Sequence, residues 1–325
     1  MSDTGPLFVS SGDLIADRRY KWALDHAALG DLPGAADILA QTVELAPRFA
    51  TAWFALGAIR DRLGDRDGAV TAFAQARDAD PDDYHGARLQ LARLGAGNAA
   101  PPMSETYVRR LFDQYAGRYD AALTERLHYR GPALLREAVE AVMGTAGRTV
   151  HFGAALDLGC GTGLGGAVFR PVADELVGID LSPAMTAQAA AKGLYDRLVT
   201  ASIAAFLSDE IAGGGTYQLI YAADVFVYVN DIAPIIAAAT RVLAPDGLLA
   251  FTVETHGGSG AKLLPTLRYA HSEDYVRGVL DGTGLMPAHL ARTSVRSEKG
   301  VPVDSLVVVA QSAAHFRASE NPVTK

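Results

Sequence analysis

Cysteine is nearly absent from this chain: one residue in 325, Cys160. A lone cysteine cannot close an internal disulfide, and it rules out a zinc site built from several thiolates. Basic charge is also short, with 29 Lys and Arg against 37 Asp and Glu, a net charge of −8. Residues 1–100 hold 10 basic and 14 acidic side chains and residues 101–325 hold 19 and 23, so each part carries −4. Neither part has the clustered Lys and Arg that grip a phosphate backbone, so nucleic acid is not the expected partner. No run of about 18 apolar residues occurs, so no membrane partner is expected either. The opening MSDTGPLFVSSGD is acidic and lacks the apolar core of a secretory leader. The eight histidines show neither H-x-x-x-H nor H-E-x-x-H spacing, so no metal is expected. What remains is 49% hydrophobic and 20% charged, the balance of a folded chain. Its length suits two domains. These counts lead to the expectation of a cytoplasmic two-domain protein.

The first hundred residues repeat. Pro47 and Pro81 are 34 apart, and the same offset links Gly30 with Gly64, Asp31 with Asp65, Gly34 with Gly68 and Ala35 with Ala69. Thirty-four residues is the period of the tetratricopeptide repeat, a helix–turn–helix unit. The second copy carries Trp53, Leu56, Gly57, Ala69, Phe73, Ala76 and Pro81. Small residues at 57, 69 and 76 let two helices approach, and Trp53 and Phe73 fill the space left. The first copy, about 16–47, is weaker, with Arg19 standing opposite Trp53. Residues 84–95 read as a capping helix. Two repeats plus a cap make a short stack, since about three are needed to bury a continuous core. A protein partner or self-association through this domain is therefore expected.

The Gly-, Ala- and Pro-rich segment 94–102 reads as a linker. The domain assignment is 1–97 for the helical repeats, 98–103 for the linker and 104–325 for the rest. Helices are expected at 104–120 and 131–144. Strands at 154–158, 175–180, 197–201, 217–223 and 247–254 then alternate with helices at 163–170, 183–193, 204–210 and 231–243. That alternation predicts an α/β fold, a doubly wound, Rossmann-like, mostly parallel sheet. A helix at 272–283 and strands near 287–296 and 304–311, with Ser297–Gly300 turning between them, bring the count to seven strands and end the sheet in an antiparallel hairpin.

An apolar strand runs into a glycine loop at Ala154-Ala-Leu-Asp-Leu-Gly-Cys-Gly-Thr-Gly163. Glycine allows the tight turn and lets backbone approach a ligand at a helix N-terminus. The second strand ends in Asp180, whose carboxylate can accept hydrogen bonds from both hydroxyls of an adenosine ribose. A nicotinamide-binding fold shares these elements, and Gly161-Thr-Gly-Leu-Gly-Gly166 spells G-x-G-x-x-G. In that fold the turn glycine follows the strand directly. Here Gly159 does so, and the match would start two residues late. It would also leave Asp157 without a role, whereas a ligand bearing an ammonium group would use it.

Residues 156–163, LDLGCGTG, and 177–185, VGIDLSPAM, resemble the class I S-adenosylmethionine-dependent methyltransferases. YQLIYAADVFVYVND (217–231) and RVLAPDGLLAFTVE (241–254) are similar to later motifs of that family, in the same order. LFDQYAGRYD (111–120) and RYAHSEDYVR (268–277), with the repeats in front, are similar to a bacterial methyltransferase subgroup that carries tetratricopeptide repeats. The resemblance spans about 104–312 and implies S-adenosylmethionine (SAM) as cofactor, with a helical lid at the start of the domain. It implies that Asp157 orders the turn and reaches the methionine ammonium, and that Gly159, Cys160, Gly161 and Gly163 line the methionyl and ribosyl parts. Asp180 would hold the ribose, with Leu181 and Met185 against the adenine. The position near the adenine amino group, usually acidic, falls here on Ser202, followed by Ile203. Ala222 and Asp224 would border the sulfonium, and Tyr107 would join the cofactor contacts.

Methyl transfer is an in-line displacement with a good leaving group, so positioning and desolvation are the enzyme's main tasks. A base is needed only if the nucleophile starts protonated. The acceptor-side candidates are Tyr228, Tyr115, Glu254 and His256, with Tyr119 and His271 behind them. Cys160, between two glycines, reads as a compact loop residue rather than a nucleophile. The expected activity is transfer of a methyl group from SAM to a small-molecule or protein acceptor. A catalytically silent binding or scaffold protein of the same fold is the alternative, and an NAD(P)-dependent oxidoreductase a more distant one.

Overall fold

The computed structural model describes residues 8–118, 120 and 129–312. Within it the 34-residue period becomes two helical hairpins. α1 (Leu14–Ala28) and α2 (Leu32–Leu45) form the first, α3 (Ala50–Arg62) and α4 (Arg66–Ala79) the second, and α5 (Ala87–Arg93) follows. The two turns are geometric copies. Gly30 and Gly64 both adopt positive φ, 87° and 81°, which glycine adopts without steric cost. Asp31 and Asp65 each cap the next helix by accepting the amide N–H of Gly34 and Gly68 at 2.9 Å. A Cβ on Gly57 would lie 2.7 Å from the Phe73 ring, which is why a small residue stands there. Trp53 is only half-buried and donates its indole N–H to the Pro47 carbonyl at 2.8 Å. In the weaker first copy Tyr20 takes the core position, fully buried, with the rings of Phe8 and Phe49 at 5.6 and 5.5 Å.

The chain divides into two compact units, Met1–Tyr107 with Leu263–Arg268, and Val108–Lys262 with Tyr269–Lys325. The dividing point lies inside α6 (Glu105–Tyr115), which a 3-10 turn, Ala116–Arg118, extends.

The second unit is built on a mixed, mainly parallel sheet. Its strands are β1 (Phe152–Leu158), β2 (Ala173–Asp180), β3 (Arg197–Thr200), β4 (Tyr217–Ala222), β5 (Leu243–Glu254), β6 (Ala261–Leu263), β7 (Tyr269–His271), β8 (Leu285–Glu298) and β9 (Val301–Ser312). The order is β3-β2-β1-β4-β5-β7-β6, and β9 runs antiparallel to both β5 and β8. The seven expected strands are present, joined by the three-residue strands β6 and β7. Lys299 and Gly300, at φ 50° and 79°, make the two-residue hairpin turn between β8 and β9, a conformation that matches strand twist.

α7 (Gly131–Thr145) and α8 (Leu164–Phe169) contribute to one apolar layer. α10 (Ile203–Gly213), α11 (Ala233–Val242) and α12 (Glu273–Gly282) contribute to the other. Successive β1 residues divide between them: Leu156 packs with Phe206 and Ile236, Ala155 with Leu135 and Phe169. With both faces covered, the central strands read as nearly continuous apolar runs. Strand order reverses between β1 and β4, and such a reversal opens a crevice beyond the carboxyl ends of those strands. α9 (Pro183–Lys192) starts at that end of β2.

Candidate functional site

The loop after β1 is held by its neighbour strand. Cys160 N–H donates to the Ile179 carbonyl at 2.7 Å, and Gly161 N–H donates to Asp180 Oδ2 at 2.9 Å. Gly159, Gly161 and Gly163 have φ of 70°, 54° and 91°. At Gly159 a Cβ would also meet Val225 at 2.7 Å, so glycine is required there twice over. Gly163 is the N-cap of α8.

Asp180 ends β2, nearly buried. Its Oδ1 accepts Ser182 N–H at 2.8 Å while Oδ2 holds the loop. Burial raises its carboxyl pKa, and the amide bonds from Ser182 and Gly161 oppose the rise. Each carboxylate oxygen has two lone pairs, so the carboxylate keeps acceptor capacity beyond these amides, which suits a vicinal diol.

Asp157 sits below the loop, 2% exposed. The hydroxyls of Tyr195 and Tyr221 both donate to its Oδ2, at 2.7 and 2.9 Å. Tyr195 oxygen in turn accepts Gly166 N–H at 3.1 Å, and the Tyr221 ring stacks on Phe169 at 4.2 Å. Gly165 and Gly166 make this clamp possible: Cβ atoms there would lie 2.8 Å from Asp157 Oδ2 and 2.6 Å from the Tyr195 ring and hydroxyl. So Gly166, which completes the dinucleotide-like pattern, serves packing around Asp157 together with Gly165. Burial pushes the Asp157 carboxyl up to about 7; the two tyrosine bonds lower it, and Asp180 raises it. Cys160, 5% exposed, has its thiol pKa raised by burial and then by Asp157 and Asp180.

Two further carboxylates reach this end of the sheet from the start of the unit. Asp113, on α6, accepts the Ser182 hydroxyl at 2.5 Å and Ala184 N–H at 3.4 Å. Asp120 accepts the Thr162 hydroxyl and pairs with Lys192 at 2.7 Å. Phe112, one turn before Tyr115 on α6, packs edge-on against the Tyr228 ring at 5.1 Å. α6 is thereby tied to the first turn of α9, and Asp120, beyond it, to the glycine loop.

The other expected residues separate. Leu181 is half-buried beside Asp180, but Met185 is fully buried and presents no surface to a ligand. Ser182 explains this: it caps α9 through Met185 N–H at 3.1 Å, which turns the Met185 side chain into the core. Ser202 is the N-cap of α10, accepting Ala205 N–H at 3.3 Å, with Ile203 half-buried beside it. Ala222 is fully buried, leaving Ala223 and Asp224 as the half-buried residues after β4. Tyr107 belongs to the helical unit, where its ring lies 2.8 Å from where a Gly86 Cβ would be. Tyr228 and Tyr115 are half-buried. Tyr119 falls outside the described residues.

Glu254, expected on the acceptor side, is not an open carboxylate. It is 2% exposed and bonded to the guanidinium of Arg296, which is itself buried and also reaches Asp224 Oδ1 at 2.8 Å and Glu298 Oε1 at 3.0 Å. Asp224 has φ of 60°, uncommon for a residue with a Cβ. Its amide donates to Thr252 Oγ1 at 2.8 Å, and its side chain is held by Arg296. His256 closes its own turn: Nε2 donates to the Gly260 carbonyl at 3.1 Å and Nδ1 accepts Gly258 N–H at 3.0 Å. His271 is fully buried, with Nε2 donating to the Val229 carbonyl at 3.0 Å, and burial holds its pKa down at about 4.

Sequence reasoning missed Arg296, Tyr195, Tyr221 and Asp113. Asp113 stands in LFDQYAGRYD, so its motif was in view but its partner was not. Among the described residues, no group of three or more His, Cys, Asp or Glu is placed to hold a metal, and no helix is long and apolar enough to cross a membrane.

The family model described as a methyltransferase domain matches residues 156–249, from the end of β1 into β5. Methyltransferase-like protein 27 of Homo sapiens is 37% identical over 108 residues, 33% of this chain and 42% of that protein. The chain thus spans less than half the length of that relative. Among solved structures, 1,6-didemethyltoxoflavin-N1-methyltransferase of Burkholderia thailandensis overlaps 67% of this chain and 94% of its own. The TM-score is 0.50 at 18% identity, and that structure holds S-adenosylhomocysteine. Magnesium protoporphyrin IX methyltransferase of Synechocystis overlaps 64% and 99%, with a TM-score of 0.46 at 19% identity. The match to the methyltransferase-domain model thus falls within the second unit, whose fold is Rossmann-like.

Proposed function

We propose that the chain is a SAM-dependent methyltransferase acting on a small-molecule or protein acceptor, and that its N-terminal helices are tetratricopeptide repeats. The observation that carries the reading is Asp180: both of its oxygens are fixed by backbone amides, at the end of β2 beside the glycine loop. The fit to SAM is chemical. Asp180 accepts the ribose diol, Asp157 supplies a carboxylate for the methionine ammonium, and Gly159 keeps the backbone free of a Cβ. Leu181 and the Ser202 hydroxyl, which still has its O–H to donate, border the adenine position. Bound SAM would supply a methyl carbon on a sulfonium: the acceptor's lone pair bonds to that carbon as the carbon–sulfur bond breaks and S-adenosylhomocysteine leaves. The chain's own residues bind, orient and exclude water. Glu254 is committed to Arg296 and His256 to its own turn, which supports an acceptor that needs no strong protein base. Tyr228, against Phe112 of α6, is the polar group at the mouth of β4 best placed to orient that acceptor.

Incubating the full chain with methyl-labelled SAM and a cell extract tests the reading. Label transferred by the wild type and not by Asp180→Ala supports it. SAM binding without any transfer would favour the scaffold alternative instead.

A further inference from the structure

α1 is the open end of the helical unit. Its inner positions, Ala16, Tyr20 and Ala23, are fully buried against the hairpins. Its outer face carries Ile15, Trp22 and Leu29 at seven-residue spacing, and these are 61%, 61% and 87% exposed, with Leu14 beside them at 84%. A terminal element of a repeat stack needs a polar outer face to stay soluble alone. α5 exposes no large apolar side chain: Ala87, Leu89 and Leu91 are buried, and its polar Arg88, Gln90 and Arg93 are half-buried. α1 has an apolar ridge instead, about 21 Å long at 1.5 Å per residue.

Two charged residues lie on the same exposed face, Arg18 and Asp25. Among the described residues neither is ion-paired within the chain. Arg18 comes four residues before Trp22 and Asp25 three residues after it. Ile15 and Leu29 each lie seven residues from Trp22. The face is therefore nearly symmetric in apolarity and antisymmetric in charge about Trp22. An antiparallel copy of the same helix meets both conditions, with Ile15 over Leu29 and Arg18 opposite Asp25, twice by symmetry. A parallel copy would set Arg18 on Arg18 and Asp25 on Asp25.

We propose that α1 is a self-association surface on which two copies of this chain pair antiparallel about a two-fold axis at Trp22. The pairing joins two short repeat stacks into one, which meets the need for about three repeats to bury a continuous core. One helix per copy makes a small interface, so the dimer dissociates on dilution. The inference is independent of the methyltransferase reading.

Sedimentation velocity on the full chain over a dilution series tests it. The expected result is a mass approaching twice 34.2 kDa at high concentration and falling to 34.2 kDa on dilution. Trp22→Glu should remain monomeric throughout while keeping wild-type circular dichroism, because the side chain it replaces is mostly exposed. Arg18→Glu and Asp25→Arg should each raise the dissociation constant about 3- to 10-fold, and the double variant should return to near the wild-type value. The swap decides the matter even if Trp22→Glu folds poorly. A wild-type chain that stays monomeric, as it would if a different protein covers α1, overturns the proposal. So does a dimer indifferent to Trp22→Glu, or a double variant as weak as the single ones.

Discussion

Replacing Arg296 by Met keeps an unbranched apolar stem and removes the charge. In the folded protein that takes the Arg296 guanidinium away from Asp224 and Glu254, whose side chains are 7% and 3% exposed. Glu298, at 32%, is wet enough to lose little. Breaking a buried ion pair by deleting one partner costs about 3–5 kcal/mol, because an uncompensated charge stays desolvated. For a unit of roughly 200 residues, each kcal/mol corresponds to about 2–4 °C in Tm, so the transition of this unit should fall by about 6–20 °C. The loss comes from stranded charge more than from lost attraction. Arg296→Met/Asp224→Asn/Glu254→Gln should therefore recover more than half of it, whereas an additive cluster would make the triple variant worst of all. Calorimetric melting of the full-length proteins reads both effects. A single variant melting within about 2 °C of wild type, or a triple variant less stable than Arg296→Met, would refute the reasoning.

The Asp157 carboxyl, raised to about 7 in the folded protein by burial, binds its proton more tightly there than in the unfolded chain. Its contribution to stability is full below about pH 4 and is lost as pH rises to about 7, by up to about 4 kcal/mol. Denaturant titrations should show Asp157→Asn gaining on wild type over that window, and parallel pH profiles would contradict this. Gly159→Ala combines a positive φ with a Cβ 2.7 Å from Val225, and should cost at least about 1–3 kcal/mol in chemical denaturation. Cys160, buried and with its thiol pKa raised, should resist a thiol reagent at pH 8 in the native protein and react once denatured; rapid native labelling would argue against the loop geometry.

Local chemistry made much of the architecture legible. The 34-residue offset that pairs Gly30 with Gly64 reappears as two turns of nearly identical φ, each capped by its own Asp. The parallel strands were readable because strands covered on both faces are apolar throughout, and the β8–β9 turn because Lys299-Gly300 follows a polar stretch. Arg296 carried no such signal. Its partners lie 42 and 72 residues away, and they meet it because β9 lies between β8 and β5. A register shift between Ser294 and Ser297 interrupts the β8 pairing there, and alternation along the strand cannot foretell where that turns a side chain. Tyr195 and Tyr221 were hidden for the same reason: they converge on Asp157 from a loop and from β4, 38 and 64 residues further along the chain. The burial of Met185 was not legible either, because its motif position said nothing of the Ser182 cap at the start of α9.

The central claim is that the glycine loop and Asp180 hold an adenosine-linked amino acid rather than a dinucleotide. Titration calorimetry of the full chain with S-adenosylhomocysteine and, separately, with NAD tests it most directly, repeated on Asp180→Ala. The account predicts binding of S-adenosylhomocysteine, none of NAD, and a loss of about 10- to 150-fold in affinity in the variant, the equivalent of about 1.5–3 kcal/mol for hydrogen bonds to a charged acceptor. Binding of NAD in place of S-adenosylhomocysteine, or a dissociation constant unchanged by Asp180→Ala, would contradict it.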